Sequence, residues 1–419
     1  MVKQAQEIRS TTSTQEAVEG LLEEGRGVIR LAPTWVPRLF CTPGQRIRLH
    51  PDDYYPLGKN RGGIDERWLS SAIRAENGPE TGKDEGLSFA VSNSGVGIPF
   101  DEFVDRAGES LLGPNWKTWG KWPMYSKFFD NLSPLPFHIH HRDEQAADVG
   151  KPGKPEAYYF APEMNNHGGT FPYTFFGLHP EVSQDQLRDR LDGFHRGGDN
   201  RITELSKAYR LTLGAGWDVP AGILHAPGSL CTYEPQADSD VFAMTESWSN
   251  NREVPSELMW KDVPTDRIGD LSYIMGLIDW DANVDPNFFG KRFTPRVETS
   301  RSRAAGPEWC ENWITYKSDR FSAKEMRIAP GSSIVMKDSA PYGCIILAGH
   351  GKFGNHEAAT ATMVRFGQLT SDEFFVSYDS ATSGVKIQNL SEHEEMVILK
   401  HFGPLNPELI QDSALFLQQ

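Results

Sequence analysis

The sequence predicts a mainly β protein made of two jelly-roll β-barrel modules, with a helical insertion in or beside the first. Three observations carry this expectation. Glycine (39) and proline (28) are plentiful and aromatic residues make up 11% of the chain, a mixture that suits short strands joined by tight turns. Residues 309–402 alternate and are punctuated by turns, as in Met326-Arg-Ile-Ala-Pro-Gly-Ser-Ser-Ile-Val-Met and Gly343-Cys-Ile-Ile-Leu-Ala-Gly, the pattern of many short strands in a jelly roll or barrel. Between these β-rich regions, Gln184 to Leu191 carries helical text.

Taken in order, Ser13 to Glu24 reads as one short helix, since Ser13 followed by Glu16 is a capping-box pattern and Gly25 a natural stop. Short apolar pieces from Val28 onward, separated by Pro and Gly, read as strands and turns. Phe100 to Leu112 reads as helix, and Pro123 to Phe129 leads into Pro134-Leu-Pro-Phe-His-Ile-His-His. Dense aromatics from Tyr158 to Phe176 indicate strands. Gly197-Gly198-Asp199 breaks the helix that begins at Gln184, and Ile202 to Tyr209 is expected to start another, so the insertion spans about 181–209. Strands resume at Tyr209 and continue to Met244. Residues 279–308, rich in Asp, Asn, Pro and Arg, read as a linker. The expected division is a helical arm at 1–27, a first barrel domain at 28–300 and a second at 301–419.

A chain of 419 residues has room for two or three domains and a core that needs no disulfides. Lys+Arg is 42 and Asp+Glu is 57, a net charge of −15, which argues against general nucleic-acid binding. Cys41, Cys231, Cys310 and Cys344 form no CxxC pair and are expected to be reduced, as in the cytoplasm. Met1 to Thr12 has no apolar signal region and no run reaches the ~20 apolar residues of a membrane span. The expectation is a cytoplasmic protein with no membrane partner.

His138-Ile139-His140 lies in an apolar, proline-bounded stretch. On a strand, residues two apart share a face, so both imidazoles would enter a barrel. Glu156 opens the aromatic strand that follows, and Pro220-Ala-Gly presents His225. Three imidazoles and a carboxylate suit one divalent ion: Zn²⁺ is the expected metal, with Fe²⁺, Mn²⁺, Co²⁺ and Ni²⁺ as alternatives. Any one of these residues alone is equally a polar side chain at a strand end; it is their order and flanking turns that point to a metal. His141 falls on the opposite strand face by parity, and His167 and His179 read as solvated loop histidines.

These segments resemble the cupin superfamily and, within it, type I mannose-6-phosphate isomerases. The resemblance rests on Leu111-Leu-Gly, Trp119-Gly-Lys-Trp-Pro-Met-Tyr-Ser-Lys-Phe-Phe, Lys154-Pro-Glu, Phe176-Gly-Leu-His-Pro-Glu and Val219-Pro-Ala-Gly-Ile-Leu-His-Ala, with Ile64-Asp-Glu-Arg-Trp-Leu-Ser-Ser a further similar segment. It covers about residues 28–250; beyond them it is one of architecture. It implies aldose–ketose isomerisation of a hexose or hexose phosphate, with metal ligands His138, His140, Glu156 and His225 and with Lys154 in proton traffic or substrate placement. Glu246 and Glu163 are the other candidates for acid–base work, against a reading as surface or hydrogen-bonded carboxylates. Lys127 is the candidate to face a substrate phosphate, against a solvated strand-end lysine. Two departures stand out: His138-Ile-His-His replaces the family's Gln-x-His-Pro, and Ala243 falls near the place of a family Arg, which weakens the case for a phosphorylated substrate. An Fe-dependent dioxygenase and a non-catalytic sugar-binding metalloprotein remain as alternatives. The second module has no HxH, and Tyr342 stands seven residues before Gly349, where a metal-binding cupin would carry Glu. It is expected to be metal-free, a packing partner or the face of a homodimer.

Overall fold

The computed structural model describes residues 9–10, 14–165 and 172–416; the expected cap Ser13 and His167 lie outside them. The first barrel is made of two sheets. One runs, in hydrogen-bonded order, Phe293–Pro295, Ala215–Val219, Glu156–Tyr159, Thr232–Ala237, Met124–Phe129, Gly63–Leu69 and Thr34–Arg38. The other runs Lys207–Arg210, Tyr173–Phe176, His225–Ala226, His138–Ile139 and Ala243–Met244.

The second barrel sets a four-stranded sheet against a ten-stranded one whose central strands are Tyr342–Ala348, Met396–Phe402 and Ser322–Ile328. These central strands carry apolar side chains on both faces, and the packing shows why. Tyr342, Cys344, Ile346, Ile398 and Met326 fill the second barrel. Ile345, Leu347, Val397 and Leu399 alternate with them and pack on Phe128, Tyr159 and Tyr233 of the first. A sheet buried on both sides loses the usual apolar–polar alternation. The N-terminal strand Val28–Ala32 joins this same sheet, with Val28 opposite Val376, so both ends of the chain build it.

Several local expectations shift. The first helix is Gln15–Gly25, capped by Thr14, whose hydroxyl accepts from Ala17 N at 3.1 Å. It ends with Arg26 in the left-handed region (φ 50°), one residue past Gly25. The helix is docked rather than a free arm: Val18 and Leu21 pack with Ile29 and Phe103. Phe100–Ala107 and Glu109–Leu112 are separate helices divided by Gly108. The insertion contains one true helix, Gln184–Gly193, closed by a Ser183/Gln186 capping box. The second helix expected at 202–209 is instead a 3-10 turn, Ile202–Leu205, and a strand, Lys207–Arg210. Pairing of that strand with Tyr173–Phe176 overrides its helical propensity. The stretch read as a linker is ordered. Its Asp279 and Thr299 cap the short helices Trp280–Asn283 and Ser300–Arg303, and Phe293–Pro295 joins the first barrel's sheet. Its polar residues mark helix starts, and no helix among the described residues is long and apolar enough to cross a membrane.

The interior of the second barrel carries a buried charge network. Lys324, Lys400, Glu311 and Asp338 are almost wholly buried. The Lys400 ammonium lies 2.5 Å from Glu311 and 2.9 Å from Asp338, and Lys324 lies 3.3 Å from each. Arg301 adds contacts of 2.5 Å to Glu311 and 2.9 Å to Asp338, and Glu408 pairs with Lys324. Glu311, Asp338 and Glu408 are close enough together to hold a metal ion, but these three cations already neutralise them. Against burial, which acts upward, Lys324 and Lys400 pull the Glu311 carboxyl down to about 2.

Two outcomes follow. Asp338→Ala leaves two buried ammonium groups short of a partner and should cost about 3–5 kcal/mol in urea unfolding. The depressed Glu311 contributes stability that is complete above its unfolded value of about 4.3 and is lost as pH falls towards 2. Stability should therefore fall through that acid window, and by less in Glu311→Gln than in the parent protein.

Candidate metal centre

The strand pattern around His138 sorts side chains as the sequence requires. Phe137 and Ile139 enter an apolar cluster with Leu187, Leu191 and Ile274, while His138 and His140 turn to the barrel interior. His225 is the direct cross-strand partner of His138. The turn before it depends on Gly222, at φ 88°, where an added Cβ would lie 3.2–3.3 Å from Asp279 and Arg142. Its N–H donates to His140 O at 2.9 Å, tying the two histidine segments together. Glu156 enters from the opposite sheet, paired with Val219.

The geometry is that of a ligand set. Nδ1 of His138 donates to Pro136 O (2.8 Å), that of His140 to Val241 O (2.7 Å) and that of His225 to Ile223 O (2.8 Å). A carbonyl only accepts, so each Nδ1 carries the proton and each Nε2 presents a lone pair inward. The three histidine ligand atoms lie within 4.8 Å of one another. His140 Nε2 is 3.0 Å from one Glu156 oxygen and His225 Nε2 is 3.1 Å from the other. Two acceptors at that distance repel unless a cation lies between them. His225 Nε2 is buried without a hydrogen-bond donor, and Glu156 Oε2 has the Lys154 ammonium beside it. Burial, with the neighbouring Lys154, drives the His140 imidazole down to about 3, and burial with its histidine neighbours holds His138 well below the usual range. Neutral imidazoles and an ionised carboxylate are the ligand forms, so the set fits a divalent ion.

Lys154 belongs to this cluster, its Nζ 2.9 Å from both His140 Nε2 and Glu156 Oε2. Lys127 is deeply buried, 3.1 Å from Glu66 and 3.3 Å from Glu234, rather than solvated at a strand end. Glu246 stands behind the centre. It accepts from Phe137 N at 2.7 Å, one residue before His138, and burial pushes it up to about 7. Glu163 is ion-paired with Arg327 at 2.6 Å, and its described contacts include none of the cluster. His141 is buried, with neither ring nitrogen hydrogen-bonded, and burial lowers it to about 4. His179 is half-buried on a loop.

Ala243 pairs with Ile139 and packs in the same apolar cluster, on the face away from the histidines. A side chain there points into that apolar cluster rather than toward the histidines. A one-residue slip changes nothing, because residues 226–251 contain no Lys or Arg at all.

Sequence reading missed Glu234 and the Arg38–Asp240 pair. Glu234 lies opposite Lys127, its carboxyl 3.8 Å from Lys154. Burial and the Glu156 charge push it up to about 8. The available signal was parity: a Glu facing inward, as Tyr-Glu-Pro-Gln alternates along a strand. Arg38 lies 3.1 Å from both Glu66 and Asp240 and lines a cleft of about 870 Å³ with Phe40, Asn77, Phe242, Leu258 and Lys261. Phe242 connects cleft and centre, its ring 6.4 Å from that of His138.

No protein-family model and no curated protein matches the sequence. Solved structures do match in fold. A putative mannosephosphate isomerase from Archaeoglobus fulgidus aligns at TM-score 0.58 and 14% identity over 90% of this chain and 98% of its own. Mannose 6-phosphate isomerase from Bacillus subtilis aligns at 0.58 and 15% over 90% and 99%. A His-to-Gln mutant of phosphomannose isomerase from Salmonella typhimurium aligns at 0.60 and 10% over 90% and 100%. The chain thus has the cupin fold of the mannose-6-phosphate isomerases over most of its length.

Purified protein is expected to hold about one divalent ion per chain, and His140→Ala or His225→Ala should each remove most of it. Elemental analysis of the three proteins checks this; unchanged metal content in both variants would refute the assignment.

Proposed function

We propose that this protein is a metal-dependent aldose–ketose isomerase acting on a sugar that it does not select by a phosphate group. The observation that carries the reading is the convergence of three imidazole Nε2 atoms and the Glu156 carboxylate, with Lys154 and Glu234 beside them. Isomerisation moves a proton between adjacent carbons of the sugar. The bound ion would be held by His138, His140, Glu156 and His225, and would polarise the sugar oxygens as negative charge develops. Zn²⁺ is the metal we propose.

The chain's own residues supply the proton handling. Glu234 is pushed up to about 8, so near neutral pH it can hold a proton for transfer or release it. Lys154 offers an ammonium within reach of the same space and can stabilise an enediolate oxygen. Glu246 keeps a supporting role, fixing the strand that carries His138 through the Phe137 N–H. Glu163 is assigned no part in the chemistry.

The cleft favours an uncharged substrate. Its three cations are committed: Arg38 to Glu66 and Asp240, Arg61 to Glu85, and Lys261 to Glu76 and Asp262. Glu76, Glu80 and Glu257 also line it. A phosphate entering this lining would have to displace an existing carboxylate. The absence of a cation along residues 226–251 acts in the same direction. Losing one charge-assisted contact costs about 1.5–3 kcal/mol, roughly ten- to a hundredfold in affinity or rate.

Metal-loaded protein should interconvert free aldoses and ketoses such as mannose and fructose under anaerobic conditions, with kcat/KM for hexose 6-phosphate no higher than for the free sugar. Lys154→Met should lower kcat about 10²–10⁴-fold. Turnover of mannose 6-phosphate alone would overturn the uncharged-substrate reading. Oxygen uptake without isomerisation would overturn the reaction class, and sugar binding without turnover would identify a non-catalytic sugar-binding protein.

A further inference from the structure

Lys127 lies at the middle of a buried chain of alternating charges. It is 5% exposed, on the strand Met124–Phe129 between Thr232–Ala237 and Gly63–Leu69. Its cross-strand partners are Glu234 on one side and Trp68 on the other. The ammonium spans two carboxylates, with Glu66 Oε1 at 3.1 Å and Glu234 Oε1 at 3.3 Å. The second oxygen of Glu66 accepts from Arg38 Nε at 3.1 Å and Trp68 Nε1 at 2.8 Å. Arg38 is fixed in turn by Asp240 and by Asn77 at 2.8 Å, and both Arg38 and Asn77 line the cleft. Glu234 Oε1 makes no hydrogen bond, and among the described residues its ion-pair partners are Lys127 and, at 3.8 Å, Lys154.

We propose that Lys127 is a positioning residue, which holds the Glu234 carboxyl beside the metal centre and is itself held in place by Glu66. The proposal rests on the isomerase reading for the role of Glu234, but the placement does not. A lysine at this position could have served a phosphate, and its two carboxylate partners assign it differently. With a Lys on one side only, a buried carboxylate can rotate. Held between Lys127 and Lys154, Glu234 is confined to the space those ammonium groups share. Arg38 and Trp68 extend the support to the cleft wall, so the carboxyl is braced across three neighbouring strands.

The charged and titratable groups that face Glu234 come from each packed element. Lys127 and Tyr125 come from its neighbour strand, Glu156 and Tyr158 from Glu156–Tyr159, Lys154 from the segment leading into that strand, and Glu66 from Gly63–Leu69. Among them Lys127 favours the ionised carboxyl, while Glu66 opposes it. The two variants should therefore have opposite effects, a signature that simple loss of packing does not produce.

The test uses metal-loaded, ¹³C-glutamate-labelled protein, with the Glu234 carboxyl resonance assigned by its loss in Glu234→Gln. In Lys127→Met its titration midpoint should rise by about one pH unit, and in Glu66→Gln it should fall by a smaller amount. Lys127→Met should also lower kcat about tenfold or more with KM and metal content within about twofold, and Lys127→Arg should restore most of the rate. Equal midpoints in all three proteins, or shifts of the same sign in both variants, would overturn the proposal. If Lys127→Met does not fold, Glu66→Gln alone decides it, since a midpoint that fails to fall contradicts the proposal. Opposite midpoint shifts in a protein that isomerises no sugar would keep the placement and refute the isomerase reading.

Discussion

Buried acceptors that converge with the Lys154 ammonium as the cation beside them are the constraint on which the first barrel depends. Three backbone carbonyls take the Nδ1 protons of His138, His140 and His225, and so turn three Nε2 acceptors towards the Glu156 carboxylate. Without a cation such a group of acceptors is repulsive in a buried, weakly screened interior. The surroundings are built to hold it in place. Gly222 ties the His225 turn to His140, Glu246 anchors the strand before His138, and the helices Gln184–Gly193 and Leu271–Leu277 cover the far face of the histidine sheet through Leu187, Leu191, Ile274 and Leu277. The helical insertion is the packing layer that covers the apolar face of that sheet and leaves the histidines on the other.

The two barrels answer the problem of interior charge differently. In the first, Arg38, Glu66, Lys127, Glu234, Lys154 and Glu156 form a chain from the cleft to the histidines, ending on acceptors that could hold a metal. In the second, Lys324, Lys400 and Arg301 meet Glu311, Asp338 and Glu408, and the cluster closes on itself. A self-neutralised network of this kind gives the barrel a fixed internal geometry but leaves little for a ligand. The shared wall between the barrels packs Ile345, Leu347, Val397 and Leu399 against Tyr159 and Tyr233 of the first.

The histidine cluster was legible because strand parity and turn chemistry are local: His138-Ile-His140 needs only a strand, and Pro220-Ala-Gly only a turn. The barrel pattern of 309–402 was legible for the same reason. What escaped was decided by distant pairing. Ile202 to Tyr209 has helical text but becomes a turn and a strand because Tyr173–Phe176 offers it an edge. The Asp, Asn and Thr of 279–308 resemble a linker in composition and act as helix caps. In sequence Glu163 and Glu234 are both carboxylates that follow aromatic strand text. Only the fold shows that Arg327 pairs with the first and that Lys127 lies beside the second, near the histidine cluster. Charge partners hundreds of residues apart, such as Arg38 and Asp240, leave no local trace.

The central claim is that these four side chains, and not the carboxylates of the second barrel, hold the ion. Anomalous diffraction from crystals of the zinc-loaded protein, collected on both sides of the zinc edge, tests it most directly. The account predicts one strong peak per chain, about 2.0–2.2 Å from the Nε2 atoms of His138, His140 and His225 and from the Glu156 carboxylate. A peak between Glu311, Asp338 and Glu408, or none at the histidines in protein that carries stoichiometric zinc, would contradict it.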